Sequence, residues 1–386
     1  EKKKCNERER ELDSLQLALK IMMNAFFGIL SVPYSRYFNV HIAEAITSCG
    51  RHTIKSGERF CNDLLNGKKI AIPYLEQTQS FSAKFDELLN MLQATWEGNM
   101  VEKDYVKYID TDSLFVALDE WIKDINSDLW NEIDDSEKIE IIKEISAIIE
   151  NYIDNRIFNE VQLGDYNSQV RDFKIGFKQE IIAKTALFVK KKKYAYWLLD
   201  KEGVPKDDIE VTGLEIVRSE SSEAIRPRLK TIMEMIMKQR PDEEISKEIR
   251  KCKKELNDLH REELAANIGV NNIKKYIGTG TPIKGTPWHV KGVYNYKLLL
   301  KELGIEHKYE DIHEGLKAKV VYVKQNPYNV DTITFHEWPI EFDDIIQFDK
   351  ETMIEKFFVK KVRFLLSALS KEEVIDRDIN AVKAFF

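Results

Sequence analysis

Two carboxylates stand one residue apart in Tyr108-Ile109-Asp110-Thr111-Asp112-Ser113-Leu114-Phe115-Val116. Apolar, β-favouring residues flank them on both sides, so the segment reads as strand, tight turn, strand with both acids at the tip. Acids held this close repel each other unless a cation sits near them. Hard oxygen ligands of this kind suit Mg²⁺, which takes one or two carboxylates and fills the rest of its shell with water and substrate phosphates. The same residues also suit a solvated turn, because Asp and Thr are common turn formers.

Two further groups lie on either side of that segment. In the apolar stretch near the amino terminus, Lys20, Asn24 and Phe27 fall along one helical face, with Gly28 next in line. Lys20 has the charge to meet phosphate, Asn24 can hydrogen-bond, Phe27 can stack, and Gly28 lets a partner approach the backbone. The alternative is a helix that ends near Gly28 with Phe26 and Phe27 in a core. Downstream, Lys190-Lys191-Lys192-Lys193-Tyr194-Ala195-Tyr196-Trp197 reads as a basic strand. Lysines beside aromatics suit a nucleic-acid backbone, where they neutralise phosphate and release counterions. They equally suit an edge strand protected against aggregation. Glu180, between Phe177 and Ile181-Ile182 on an expected strand, is either an ordinary exposed charge or a third acid. Together the three features are the parts of a nucleotidyl transferase. Carboxylate-held metals clamp the attacking and leaving oxygens of an in-line displacement, and a helix lysine meets the triphosphate charge.

The elements that must position these groups follow from periodicity and breakers. Residues 1–31 read as one helix stopped by Pro33, and 40–66 as a second. A strand over Lys69–Tyr74 and a helix over Ala83–Trp96 precede the acidic hairpin. Helical periodicity covers 119–160. Strands are expected over Phe173–Ile182 and Thr185–Leu199, with a turn at Lys201-Glu202-Gly203. Helix returns over 222–267, interrupted near Arg240-Pro241. A loop spans Gly278–Pro282, a hairpin with an Asn326-Pro327 turn spans 318–336, and a last helix runs over Lys350–Leu369.

The chain has 386 residues, 43% of them hydrophobic, which suffices for two or three domains. Its formal net charge is −7, so a nucleic-acid site must be a local basic surface on an acidic body. The four cysteines are scattered, with no CxxC pair, which argues against zinc and against a disulfide framework and fits a reducing intracellular compartment. No run of about 18 apolar residues occurs, so no membrane span is expected.

In the order and identity of these motifs, the chain resembles family B DNA polymerases, most closely those of large tailed phages. Lys20-Ile21-Met22-Met23-Asn24-Ala25-Phe26-Phe27-Gly28 resembles the fingers-helix motif Lys-x-x-x-Asn-Ser-x-Tyr-Gly. Asp110-Thr111-Asp112-Ser113 matches the catalytic palm hairpin, and Lys191-Lys192-Lys193-Tyr194 resembles the primer-strand motif Lys-Lys-Arg-Tyr. Arg36-Tyr37-Phe38-Asn39 with Ala43–Thr47 resembles the return from fingers to palm, Gly213-Leu214-Glu215 with Arg218-Ser219 the palm-to-thumb junction, and His289–Val293 and Asn326-Pro327 thumb segments of the phage branch.

The resemblance implies an α+β fold: an antiparallel palm sheet with helices on one face, a helical fingers remnant and a mixed, mostly helical thumb. It implies domains at 1–32 (fingers helix), 33–219 (palm) and 220–386 (thumb with tail). Lys20 would contact the incoming deoxynucleoside triphosphate, with Asn24 and Phe27 beside the nascent base pair. Asp112 would be the main Mg²⁺ ligand and Asp110 its support. Lys191, Lys192, Lys193 and Tyr194 would hold primer-template DNA, and Glu180 matches an acid before the basic strand. Ala25 and Phe27 replace the family's Ser and Tyr, and Lys193 replaces an Arg that would grip phosphate with two donors.

The family's other metal-binding Asp, in Asp-x-x-Ser-Leu-Tyr-Pro-Ser, is missing. Asp13-Ser14-Leu15 is only an echo of it, lying in the helical run. The implied identity is therefore the carboxy-terminal portion or split subunit of a DNA-directed DNA polymerase. Such a chain would need an amino-terminal polymerase and exonuclease part, and would work in the cytoplasm of a host cell. The alternative is a non-catalytic duplex-binding module of palm and thumb shape. The tail Ala384-Phe385-Phe386 resembles a sliding-clamp-binding end, or is a frayed terminus.

Overall fold

The structure, a computed structural model, describes residues 2–67, 102–167, 175–214, 222–277 and 280–375. The expected elements at 69–74 and 83–96, the Glu215–Ser219 part of the junction and the tail at 384–386 lie outside the described residues. The architecture is α+β with small antiparallel sheets. Contacts divide the chain into two units, Glu1–Glu180 and Ile181–Phe386.

In the first unit, α1 (Lys2–Ser31) is followed by α2 (Val40–Leu65). The side chain of Asn39 caps α2 by accepting the Ile42 N–H at 3.1 Å. The Asn39 N–H bonds the Leu30 carbonyl at 2.9 Å, tying the end of α1 to the start of α2. Strands β1 (Val106–Asp110) and β2 (Ser113–Val116) pair antiparallel, with Asp110 opposite Ser113. The helical run expected over 119–160 is two helices, α3 (Leu118–Glu132) and α4 (Asp135–Arg156), the latter passing into a π-helical stretch, Ile157–Asp165. Asp134 causes the break by accepting the N–H groups of Ser136 and Glu137 at 2.8 and 2.9 Å, a cap that restarts the helix. Phe60, Cys61, Leu64 and Leu65 of α2 bury themselves against Tyr105, Trp121, Ile122, Ile145, Tyr152 and Ile153. Burial pushes the Cys61 thiol up to about 12, so it is an inert core residue.

The second unit opens with β3 (Ile181–Lys190), β4 (Lys193–Lys201) and β5 (Val204–Thr212), paired in that order. Two expectations are corrected here. The basic run is not one strand: the chain reverses at Lys191-Lys192, and Lys190 pairs with Lys193. Glu180 is not on a strand either. It precedes β3 in irregular chain, because α4 carboxylates capture the backbone there. Asp154 accepts the Phe177 N–H at 2.7 Å and Glu150 accepts that of Gln179.

Helices α5 (Ile225–Met237) and α6 (Asp242–Asp258) flank the expected break at Arg240-Pro241. The helical reading overran, however. After the single turn α7 (Arg261–Leu264) comes a strand, β6 (Ala266–Gly269). Then follow α8 (Ile273–Ile277), α9 (Trp288–Glu302), and the hairpin of β7 (Lys317–Tyr322) and β8 (Thr332–Phe335). The Asn326 side chain closes its loop, donating to the carbonyls of Lys324 and Val330 at 2.8 and 2.7 Å. Gly292 of α9 sits where a Cβ would lie 2.3 Å from Thr334 Oγ1, so the helix packs directly on β8. The last helix is α10 (Lys350–Ile354), a π-helical turn (Glu355–Val359) and α11 (Lys360–Ser367). Its Phe358, Val362 and Leu365 join Ile232, Met233, Ile249 and Leu256 in a core that also takes Leu187 and Ala195 of β3 and β4.

Candidate functional site

Asp110 and Asp112 flank a strained residue. Thr111 has φ of 59°, a left-handed conformation uncommon for a β-branched side chain. The Asp112 N–H donates to the Asp110 carbonyl at 2.7 Å, and Thr111 Oγ1 donates to Asp110 Oδ1 at 3.2 Å. Asp110 is half-buried and Asp112 exposed. The ring pair Tyr108–Phe115, 5.9 Å between centroids, braces the strands behind the turn.

At its base the hairpin is anchored by α2. Asn62 Oδ1 accepts the Tyr105 N–H at 2.9 Å, and Asn62 Nδ2 donates to Asp104 at 2.8 Å. Asn66 exchanges two bonds with the Lys103 backbone, at 2.9 and 2.8 Å. Gly57 lets the hairpin side come close: a Cβ there would meet the Phe177 ring at 2.8 Å and Leu114 at 3.5 Å. Buried Tyr105 donates its hydroxyl to Asp124 at 3.0 Å, and burial, then that carboxylate, holds its phenol well above the usual range. Burial pushes Asp124 up, but its bonds from Lys103 and Tyr105 prevail and leave it below the ordinary carboxylate value. Asn62 and Gly57 escaped the sequence reading. A glycine in mid-helix was the available signal.

Lys20, Asn24 and Phe27 are all exposed on α1, and a Cβ on Gly28 would meet nothing within 4 Å. The alternative of Phe26 and Phe27 in a core does not hold in this structure, since Phe26 is 59% exposed. The other side of α1 carries Leu12, Leu15, Leu19, Met22, Phe26 and Ile29. Their alternating three- and four-residue spacing is that of a coiled-coil seam, and all six are exposed. By length and composition alone, Arg10–Ser31 is also apolar enough to cross a membrane, against the expectation from the lack of an unbroken apolar run. Lys20 and Asn24 break the run without lowering its mean hydropathy enough to fail that test.

The second unit presents the basic residues at the β3–β4 turn. Lys192 also has φ of 59°. Lys191 and Lys192 are exposed, while Lys193 and Tyr194 are half-buried. The Lys193 ammonium lies 5.5 Å from the ring centre of Phe364 in α11. Tyr194 stands in an aromatic row, 5.9 Å from Phe188 and 6.4 Å from Tyr196. Tyr196 in turn donates to Glu210 at 2.6 Å, and Lys201 reaches the same carboxylate at 2.8 Å. These two bonds, Lys201 first, hold Glu210 below its ordinary value.

The named residues thus form three groups: one face of α1 and one acidic tip in the first unit, and one basic tip in the second. Glu180 is exposed at the end of the first. Among the described residues, no group of three or more His, Cys, Asp or Glu could hold a metal ion.

Residues 1–140 and 162–281 match DNA polymerase family B, and the chain belongs to that family. It is 24% identical over 375 residues to the DNA-directed DNA polymerase of Enterobacteria phage T4 and 25% identical over 372 residues to that of Escherichia phage RB69. Each match covers 92% of this chain but 37% of the relative.

Proposed function

We propose that this chain is the carboxy-terminal portion, or the split subunit, of a DNA-directed DNA polymerase of the tailed-phage branch, and that it adds deoxynucleotides to a primer 3′ end once joined by the rest of the enzyme. The observation that carries this reading is the pair Asp110 and Asp112 on either side of a left-handed threonine. A β-branched residue is uncommon in that region of backbone space.

The donors fit Mg²⁺ in part: two hard carboxylates at a half-exposed tip match what the ion takes from protein, and its remaining ligands are water and phosphate oxygens. Bound there, Mg²⁺ would stabilise charge on the attacking and leaving oxygens. Lys20 meets the triphosphate charge, with Asn24 and Phe27 beside the base pair. Lys191, Lys192, Lys193 and Tyr194 hold the primer-template, and Glu180 is an accessory acid. The relatives carry further chain beyond the matched part, and we assign the α1 seam to a helix from that missing part, which also brings the third acid. A second reading, a non-catalytic duplex-binding module, draws on the basic turn, which is complete within its own unit.

The test is primer extension with Mg²⁺ and four deoxynucleotides, on the chain alone and with the upstream polymerase segment. We expect no extension alone, extension in the mixture, and its loss with Asp112→Asn. Full activity of Asp112→Asn in the mixture would remove the metal assignment. Extension by the chain alone would remove the claim that it needs a partner. If the mixture binds DNA but never extends it, the duplex-binding reading stands instead.

A further inference from the structure

Among the described glycines, Gly213 is the one packed against the basic turn. It follows β5, where Thr212 is the register partner of Tyr194, and it has φ of +65°. A Cβ built on it would lie 1.8 Å from the Lys192 carbonyl oxygen and 3.0 Å from the Lys192 carbonyl carbon. Contacts under 3.0 Å are essentially never seen for real Cβ atoms, so the Lys192 carbonyl would have to retreat by more than 1 Å. That carbonyl belongs to the strained residue of the turn. It cannot retreat alone, because Lys193 and Tyr194, next in line, are paired to β3 and β5 and packed on Phe364 and Phe188. On the other side, Leu214 is 1% exposed in the core shared with Leu187 and Ala195. Gly213 itself is therefore anchored and cannot yield either.

We propose that Gly213 is a positioning residue for the basic turn: its missing side chain sets where Lys192 and Lys193 stand, and hence how well they reach a DNA backbone. The proposal rests on the reading of Lys191–Tyr194 as the DNA-holding group. It differs from a general need for glycine at positive φ, because Gly203, in the β4–β5 turn with φ of +84°, has nothing within 4 Å of a built Cβ. The two glycines carry the same backbone restriction and only one carries the close approach.

The experiment is binding of the full chain to a fluorescein-labelled primer-template duplex, followed by anisotropy between about 50 and 200 mM salt. Compared are the wild type, Gly213→Ala, Gly213→Asn, Gly203→Ala, Lys192→Ala and Lys193→Ala, each checked by circular dichroism and thermal melting. Asn tolerates the left-handed region but keeps the Cβ. It therefore preserves the test if the Ala variant does not fold.

We expect the Gly213 variants to bind about tenfold more weakly and Gly203→Ala within about twofold of wild type. The salt slope should fall by about 0.9 in the Gly213 variants, as in the lysine variants, although no charge has been removed. A merely destabilising substitution would lower the active fraction and leave the slope unchanged. Wild-type affinity and slope in Gly213→Asn, with weakened Lys192→Ala and Lys193→Ala, overturns the positioning role alone. If neither lysine variant weakens binding, the DNA-holding reading falls and the positioning role falls with it.

Discussion

Two turns in this chain pivot on a residue with φ of 59°, Thr111 among acids and Lys192 among bases, and they are braced in opposite ways. The acidic turn sits, among the described residues, on a two-stranded sheet whose base is anchored from outside by the side chains of Asn62 and Asn66 and whose flank packs closely on Gly57. The basic turn sits on a three-stranded sheet and takes its rigidity from a neighbouring backbone at Gly213. In the first, the strained residue separates the two carboxylates we propose as metal ligands; in the second, it is itself one of the lysines we propose to hold DNA. A turn that holds a small hard ion needs two side chains fixed relative to each other. A turn that grips a polyanion needs a fixed tip with long, adaptable side chains. The bracing is what those two proposed roles would demand.

The largest effect expected of this comparison is catalytic. In a reconstituted polymerase, Asp112→Asn should lower the extension rate by at least about a hundredfold, whereas Lys192→Ala should act mainly on DNA affinity. Single-turnover kinetics at saturating DNA separate the two; a large loss from Lys192→Ala at saturation would erase the division of labour. Next in size is the brace. Gly57→Val should drive a side chain into Phe177 and Leu114 and destabilise the first unit by about 1–3 kcal/mol, read by urea denaturation. An unchanged midpoint would mean that α2 does not support the acidic turn.

Relief of strain should be smaller. Thr111→Gly and Lys192→Gly should each stabilise the fold by about 1 kcal/mol or less, while the first weakens catalysis and the second weakens DNA binding. If both variants prove destabilising, the turns are not strained. The smallest effect is on pH dependence, and its sign differs between the units. Burial raises Asp154, which holds the Phe177 backbone, although that bond opposes the shift. Its contribution is present below its ordinary value of 3.8 and is lost as pH rises through the higher folded value. Glu210 is depressed, so its contribution is present above 4.5 and is lost as pH falls through the lower folded value. Urea midpoints against pH for Asp154→Asn and Glu210→Gln should therefore flatten on opposite sides; flattening on the same side would contradict the environments described.

The acidic turn was legible because Asp and Thr between apolar strands announce a reversal, α1 because Pro33 stops it, and α2 because its residues keep a helical period. The basic turn was not legible. Nothing in Lys190–Lys193 signals a reversal, and the backbone that closely approaches the Lys192 carbonyl, at Gly213, lies 21 positions downstream. Glu180 was misread because Phe177 and Ile181 alternate like a strand, while the carboxylates that capture that backbone lie on α4. The strand β6 hid inside a helical reading because Ala266-Asn267-Ile268-Gly269 has no pattern of its own until β7 pairs with it.

The two sides of α1 have a practical consequence for protein engineering. The leucine seam and the Lys20–Asn24–Phe27 face are separately addressable. A cysteine introduced at Leu15, matched by one on a complementary helix, would staple the two polypeptides by their backs. The resulting permanently joined pair would keep unaltered the side chains we propose to face the nucleotide, and the spacing of the staple would report the register of the two helices.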